Sequence, residues 1–176
     1  MQSFQVRRAR TSDVRAIREL MEPLVEAKIL LGKQPVTLYE AVQEFRVAES
    51  DDGSLVGCGA LHVIWEDLGE VRTLATAGEW RGRGVGHAVL ERLEADASEL
   101  GLSRLFCLTF ETGFFARHGF ADMGTETVDP VVYEELLRSS DEGVAEFLDL
   151  ARVKPNTLGN TRMIKQLREA SARDVP

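Results

Sequence analysis

The fold of this chain is decided by the stretch Arg81-Gly82-Arg83-Gly84-Val85-Gly86, the glycine loop. Its three glycines allow positive φ angles and let a ligand come close to the backbone. The residues after it, His87 to Leu100, have the apolar spacing of a helix, and the free N–H groups at a helix start attract anions. From the residues alone, the loop is either a cradle for a diphosphate or a tight turn with solvated arginines. Both interpretations stay open at this point.

Strands are predicted on the N-terminal side of the glycine loop. A first strand, Phe4 to Arg10, precedes a helix that begins at Thr11 and ends or kinks near Glu22, because Pro23 follows. After a loop and a short helix, three runs have the apolar or alternating pattern of strands and are separated by turn residues. These runs are Phe45 to Glu49, Leu55 to Trp65 and Glu70 to Thr76. They predict an antiparallel meander that ends just before the loop.

The residues after the glycine loop predict a βαβ unit. The helix ends at Gly101, and the continuous apolar run Arg104 to Phe110 is typical of a strand covered on both faces. The strands on either side of the helix should therefore be parallel neighbours with a right-handed crossover. Later predictions are helices over Thr112 to His118 and Pro130 to Ser139, an ambiguous segment Gly143 to Leu150, a turn at Lys154 to Asn156, a strand over Thr161 to Leu167 and a frayed tail.

Composition limits the class of protein. The chain has 176 residues, a net charge of −8 and a pI of about 5.0, which argues against nucleic acid or an anionic membrane as its main partner. No run approaches the roughly 20 apolar residues that cross a bilayer. Cys58 and Cys107 lie in apolar runs and are expected to be buried free thiols. We therefore expect one cytoplasmic domain over residues 1–167, a flexible tail over 168–176, and no metal site.

The order of motifs resembles one family. An antiparallel meander, Arg81-x-x-Gly84-x-Gly86, a helix, a strand and then Phe114-Phe115-x-x-x-Gly119-Phe120 are together similar to the GCN5-related N-acetyltransferase (GNAT) family. The resemblance implies an α/β (α+β) fold. In that fold a mixed central sheet has an antiparallel N-terminal meander and a parallel, splayed strand pair, with flanking helices. Within the family, short runs resemble N-acetylglutamate synthases, and residues 153–163 resemble a short, single-domain form of that enzyme.

The resemblance implies how acetyl-CoA, the co-substrate, is bound. The diphosphate lies on the glycine loop, and the acetyl carbonyl lies near backbone N–H groups of the preceding strand. Phe115 occupies a position where many family members have a tyrosine that protonates the leaving thiolate, so the general acid stays open. The implied cofactor-binding residues are Leu74, Ala75, Thr76, Arg81, Gly82, Arg83, Gly84, Val85, Gly86 and Phe115.

The resemblance also implies catalytic and substrate-binding residues. Glu70 matches an acidic residue proposed to take the proton of the amine; the alternatives are a solvated strand-end glutamate or a salt bridge to Arg72. Thr109 could bond to the departing sulfur or the substrate, or it could simply cap the helix at Thr112. His118, in a last helical turn, is interpreted as structural. Candidate ligands of the amino acid are Lys28, Lys33, Arg72, Thr73, Asn160, Thr161 and Arg162.

The leading hypothesis is direct transfer of an acetyl group to the α-amine of L-glutamate, the first step of arginine biosynthesis. A second hypothesis is acetylation of L-glutamine or another small amine, and a third is a non-catalytic sensor of acetyl-CoA. Family members often form homodimers, and arginine inhibits long relatives through a domain that this chain is too short to hold. Both properties are left open here.

Overall fold

The computed structural model describes residues 3–150 and 159–167. The strands are β1 (Phe4–Arg8), β2 (Phe45–Ser50), β3 (Leu55–Trp65), β4 (Leu68–Thr76), β5 (Arg104–Thr109), β6 (Ala121–Asp122) and β7 (Thr161–Gln166). The α-helices are α1 (Val14–Glu26), α2 (Pro35–Glu40), α3 (Val85–Glu99), α4 (Thr112–Arg117), α5 (Pro130–Leu136) and α6 (Glu142–Phe147). Short 3-10 turns occupy Thr11–Asp13, Val42–Glu44 and Gly78–Trp80.

The strands form a mixed sheet in the order β1-β2-β3-β4-β5-β7-β6. Strands β4 and β5 are parallel, as predicted for the βαβ unit, and their paired residues run from Leu68–Arg104 to Glu70–Phe106. The pairs β1–β2, β2–β3, β5–β7 and β6–β7 are antiparallel. The predicted fold class is therefore confirmed.

Internal contacts divide the chain into two compact units. The first comprises residues 3–62 and 71–99 of the described chain, and the second comprises 63–70, 100–150 and 159–167. The prediction of one domain over residues 1–167 stays a prediction. The predicted turn at Lys154 to Asn156 and the predicted tail over 168–176 lie outside the described residues.

In the first unit, α1 packs on strands β2 and β3. Its buried residues Val14, Ile17 and Met21 recur at helical spacing and join a core with Phe45 and Val47. Of the two outcomes predicted at Pro23, an end or a kink near Glu22, the end is wrong, because α1 continues to Glu26. Proline costs a helix most in its interior, whereas here it stands within the last turn, and the following Leu24 and Val25 still pack against the core.

Two glycines of β3 let α3 lie close to the sheet. A Cβ at Gly59 would stand 2.9 Å from Cγ1 of Val89, and one at Gly57 would overlap Val85. Both glycines are therefore positions where the helix packs closely on the strand. Val85 lies within the glycine loop and is the first residue of α3, so its contact with Gly57 helps to determine where the helix begins.

Asp13 links β1 to the start of α1. The Arg7 guanidinium donates to both of its oxygens at 2.7 and 3.0 Å, and the Arg10 N–H donates to Oδ2 at 2.7 Å. The hydrogen bond from Arg7 is the largest cause that holds the pKa of Asp13 below its ordinary value. A carboxylate stabilised in this way stabilises the fold above its unfolded-state pKa, and the contribution is lost as pH falls through the folded-state pKa.

We expect Asp13→Asn to lower the free energy of unfolding by about 2 kcal/mol at neutral pH, because it leaves the partly buried Arg7 without its main partner. The difference from the wild type should begin to shrink as pH falls below about 4, where the unfolded-state carboxyl takes up a proton, and should vanish below the lower folded-state pKa. Urea denaturation at several pH values measures this. The control is Glu22→Gln at an exposed site on α1. A pH-independent difference would show that the charge of Asp13 is not the cause.

The second unit is built around β5. Strand β5 pairs with β7 over six residues, from Arg104–Gln166 to Thr109–Thr161. The Phe106 ring meets that of Phe147 edge-to-face at 5.4 Å inside the core. The ambiguous segment Gly143 to Leu150 proves to carry α6, with all of residues 143–147 buried.

Three predictions for the ends of elements need correction. The helix predicted to reach Leu100 ends at Glu99, and Leu100 is 62% exposed, whereas Leu90 inside the helix is buried. The helix predicted over Pro130 to Ser139 ends at Leu136, and Leu137, which follows it, is 48% exposed. Phe110 lies beyond the end of β5 and is also exposed. In each case the apolar residue belongs to the turn rather than to the helix or strand.

Candidate active site

The glycine loop is exposed and turns on two left-handed glycines. Gly82 and Gly84 have φ angles of 74° and 83°, and a Cβ on either would meet no atom within 4 Å. Helix α3 begins at Val85, two residues earlier than predicted. At its start the Ala88 N–H donates to the Gly84 carbonyl at 2.9 Å. The loop therefore presents open space at the start of a 15-residue helix, as a cradle for an anion requires.

The ring of Trp80 contacts Arg83 of the glycine loop, a role that the sequence analysis missed. The residue is 5% exposed, and the Arg83 guanidinium lies 5.2 Å from the centroid of its ring. The ring of Phe4 meets it edge-to-face at 6.1 Å. This cation–π contact makes Arg83 part of the loop's structure as well as a source of positive charge.

Strand β4 carries a strained residue. Thr73 has a φ of 57°, a left-handed angle that β-branched residues rarely adopt, and it is buried. The alternation predicted for Glu70 to Thr76 nevertheless holds from Val71 to Thr76, where buried and half-buried residues alternate, and Glu70, which is buried, is the exception. The Thr73 carbonyl lies 3.6 Å from Sγ of Cys58. Leu74 and Thr76 are half-buried and Ala75 is buried.

Glu70 is a buried carboxylate at the point where the pairing of β4 with β5 ends. It is 4% exposed and stands opposite Phe106. The alternative of a solvated strand-end glutamate is thereby excluded, whereas its pairing with Arg72 stays a prediction. Its charge also affects Cys107. Burial is the largest cause that raises the pKa of this thiol, and the negative charge of Glu70 raises it further. Buried carboxylates of this kind are candidates for proton transfer.

Helix α6 covers this carboxylate. A Cβ at Gly143 would stand 2.8 Å from Cδ of Glu70 and 3.0 Å from Oε1, so only glycine leaves room for it. The helix starts at Asp141, whose Oδ1 accepts the Val144 N–H at 3.1 Å. The sequence analysis missed Gly143. The signal that could have found the helix is the capping residue Asp141 ahead of an acidic first turn.

Thr109 caps the turn that leads into α4. Its Oγ1 accepts the Glu111 N–H at 2.8 Å, and Glu111 is the residue directly before α4. The catalytic role of Thr109 stays a prediction. Since the hydroxyl oxygen accepts this bond, its proton is available to another acceptor. Thr109 stands opposite Thr161 on β7, which brings two of the predicted site residues side by side.

Arg162 and Asn160 lie on or beside the same strand. Nη2 of Arg162 donates to the Phe147 carbonyl at 2.6 Å, and its Nη1 lies 3.9 Å from Oδ2 of Asp149. Oδ1 of Asn160 is buried and has no hydrogen-bond partner among the described residues. Asn160 is thus an unused acceptor, whereas Arg162 is already bound to the backbone.

The remaining predicted residues fall into two groups. Lys28 is exposed with a φ of 58°, Lys33 and Arg72 are half-buried, and all three belong to the first unit. Phe115 is buried in the second unit, with its ring 5.1 Å from that of Phe120, and Nδ1 of His118 lies 2.8 Å from the Phe114 carbonyl oxygen. This contact agrees with the structural interpretation of His118, which stays a prediction. In residues 3–150 and 159–167 no three potential metal ligands come together.

Comparison with known proteins decides the family. The model of the acetyltransferase (GNAT) family matches residues 15–124, which include β4, the glycine loop and α4. The chain belongs to the GNAT family. It is therefore an acetyltransferase, and acetyl-CoA is its co-substrate. No helix in the described part of this GNAT protein has the length and hydropathy to cross a membrane.

Three relatives of this GNAT chain are informative. An amino-acid acetyltransferase of Mycobacterium tuberculosis is 59% identical over 161 residues, which are 90% of this chain and 92% of that protein. The crystal structure of a protein from the same organism, in complex with CoA and NLQ, has a TM-score of 0.89 at 58% identity and covers 93% of this chain and 99% of that one. N-acetylglutamate synthase from Neisseria gonorrhoeae, complexed with coenzyme A and N-acetyl-glutamate, has a TM-score of 0.73 at 27% identity. The match to it covers 94% of this chain but 35% of the synthase.

Proposed function

We propose that this enzyme transfers the acetyl group of acetyl-CoA to the α-amine of L-glutamate. The observation that carries the proposal is the 59% identity to an amino-acid acetyltransferase along nearly the whole of both chains. The likeness to N-acetylglutamate synthase supports glutamate as the acceptor. The product would be N-acetyl-L-glutamate, and the reaction would be the first step of arginine biosynthesis in the cytoplasm. The dimer and inhibition by arginine stay predictions.

The donor half of the reaction is assigned to the glycine loop and β4. Exposed backbone at Gly82 and Gly84, with Arg81 and Arg83 beside it, suits the diphosphate of coenzyme A. Backbone N–H groups near Leu74 and Ala75 would polarise the thioester carbonyl, which gains negative charge as the amine adds. The strained Thr73 immediately before them is consistent with a backbone shaped for a ligand.

The acceptor half is assigned to Glu70 and Thr109. Glu70 takes a proton from the ammonium group, directly or through a water, and the neutral nitrogen then forms a bond to the carbonyl carbon. As the C–S bond breaks, the sulfur leaves as a thiolate and needs a proton. Phe115 has none to give. The hydroxyl of Thr109, whose oxygen accepts the Glu111 N–H, can stabilise the thiolate with a hydrogen bond. The nitrogen loses its second proton as the amide forms, and that proton balances the one that the thiolate takes up.

The carboxylates of the amino acid require cations in a protein of net charge −8. We assign this role to Lys33, which is half-buried, with Lys28 and Arg72 as further candidates, because each carries a positive charge that can pair with a carboxylate. Thr73 and Thr161 remain candidates for polar contacts with the substrate.

Glutamine is the second candidate acceptor. The buried Oδ1 of Asn160 lacks a hydrogen-bond partner among the described residues. It would accept a hydrogen bond from a side-chain amide but would repel a carboxylate. The second candidate function assigns Asn160 to the end of the substrate's side chain, where this oxygen would favour glutamine over glutamate.

A single assay separates these hypotheses. Release of the CoA thiol is followed with a thiol reagent against a panel of free amino acids, and each product is identified by mass spectrometry. Cys58 and Cys107 are buried and should not react with the reagent. We expect the highest kcat/KM with glutamate. Preference for glutamine would select the second candidate, and no turnover with any amino acid, despite binding of acetyl-CoA, would show a sensor.

A further inference from the structure

Helix α6 is fixed at its start by the Glu70 carboxylate. Gly143 is the second residue of this six-residue helix, and its missing side chain leaves the space that the carboxylate fills. The buried residues 143–147 show that α6 is an inner element of the second unit. Movement of its first turn would therefore change both the space and the solvent around Glu70.

The same helix is fixed at its end by Arg162. Phe147 is the last residue of α6, and its carbonyl accepts from Nη2 of Arg162 at 2.6 Å. Its ring packs on Phe106, the residue that stands opposite Glu70 in the parallel pair. Arg162 also reaches Sδ of Met123 at 3.5 Å. A cation at a helix end, bonded to its last carbonyl, holds that end in place.

We infer that Gly143 and Arg162 are positioning residues that act through Glu70. Gly143 provides the space for the carboxylate, and Arg162 anchors the far end of α6, so that the helix holds the carboxylate in one place and keeps water from it. The inference rests on the proposed role of Glu70 as the base. It gives Arg162 a role different from binding the carboxylate of the substrate.

The two roles of Arg162 differ in the kinetic constant that they affect. Loss of a residue that binds the substrate equally in the ground and transition states raises KM and leaves kcat unchanged. Loss of a residue that positions the base lowers kcat and alters the pH profile, while KM stays nearly constant. The guanidinium is already bonded to Phe147, which favours the second pattern.

The first experiment is Gly143→Ala with Gly113→Ala as its control. Gly113 is likewise the second residue of a six-residue helix, α4, but a Cβ there would meet only Nη1 of Arg117 at 3.7 Å. We expect Gly143→Ala to lower kcat about 30-fold, since small displacements of a reacting group cost up to about 100-fold. KM values should stay within about threefold, and Gly113→Ala should resemble the wild type. Wild-type kcat and pH profile in Gly143→Ala would overturn the inference.

The second experiment replaces Arg162 by lysine and by methionine, with Arg138→Met as the control at an exposed site of α5's C-terminal turn. We expect Arg162→Met to lower kcat about tenfold and to shift the acidic limb, and Arg162→Lys, which keeps a donor for Phe147, to recover part of the loss. A rise of tenfold or more in KM for the amino acid at constant kcat would show that Arg162 binds substrate, and the inference would fail.

A measurement that does not depend on catalysis tests the contact between Gly143 and Glu70 separately from the proposed role of Glu70 as the base. The elements packed against Glu70 carry other charged or titratable groups, namely Arg104 and Cys107 of β5 and Glu142 and Glu146 of α6, and Arg162 of β7 bonds to the last carbonyl of α6. The titration of the Glu70 carboxyl can be followed by ¹³C NMR in the wild type, Gly143→Ala and Gly113→Ala. A changed titration in Gly143→Ala alone supports the positioning contact even if Glu70 proves not to be the base. An unchanged titration refutes the contact, whatever Glu70 does.

Discussion

Replacing Glu70 by glutamine is expected to lower kcat about 100-fold, because the side chain can no longer take the proton of the substrate's ammonium group. Glutamine has nearly the same shape and fits the space left by Gly143, so the fold should be retained. KM for acetyl-CoA should change by less than about threefold, since the donor is assigned to other residues. The acidic limb of the pH profile of kcat/KM should disappear. Initial rates across the pH range measure both effects.

Glu66→Gln is the matched control for this variant. Glu66 is exposed in the turn that leads into β4, four residues before Glu70, and carries the same charge. It should show wild-type rates and a wild-type pH profile. If Glu70→Gln keeps the acidic limb of the wild type, another group is the base, however much the rate has fallen.

Replacing Gly84 by alanine is expected to raise KM for acetyl-CoA at least about tenfold, which corresponds to about 1.4 kcal/mol of binding free energy. The φ of 83° is unfavourable for alanine, and the added Cβ would point into the open space where a ligand would lie. The strain itself should lower the free energy of unfolding by about 1 kcal/mol. KM for the amino acid should be little changed.

The hairpin between β2 and β3 offers a control with the same strain. Gly53 has a φ of 84°, and a Cβ there would also meet no atom within 4 Å. Gly53→Ala should therefore destabilise the protein by a similar amount while KM for acetyl-CoA stays at the wild-type value. If both variants raise this KM equally, general destabilisation is the cause, and the glycine loop is not the site of the cofactor.

The order of the central elements could be predicted because their signals are local. Alternating and apolar runs give strands of the right length, and Leu55 to Trp65 was predicted to the residue. Gly119 was recognised as the end of α4, and its N–H and that of Phe120 close the helix on Ala116 and Phe115. The glycine loop gained its meaning from its place between β4 and α3.

No local sequence pattern predicts the features that shape the candidate site. The φ of Thr73 is imposed by the structure around it, because a threonine in an apolar run predicts only a regular strand. Helix α6 is too short for its periodicity to be recognised, and nothing in the sequence connects Gly143 with Glu70. The hydrogen bond from Arg162 to the Phe147 carbonyl is also a tertiary contact. From the sequence alone, Arg162 could be interpreted only as a candidate ligand of the substrate.

The two buried thiols limit the chemical course of acetyl transfer. Burial raises the pKa of Cys58 to about 12, and burial together with the charge of Glu70 raises the pKa of Cys107 as well. At neutral pH both are protonated, and a thiol is a poor nucleophile compared with its thiolate. Neither cysteine can therefore accept the acetyl group as a covalent acyl-enzyme. This agrees with the proposed direct transfer, in which the acetyl group passes between donor and acceptor while both are bound.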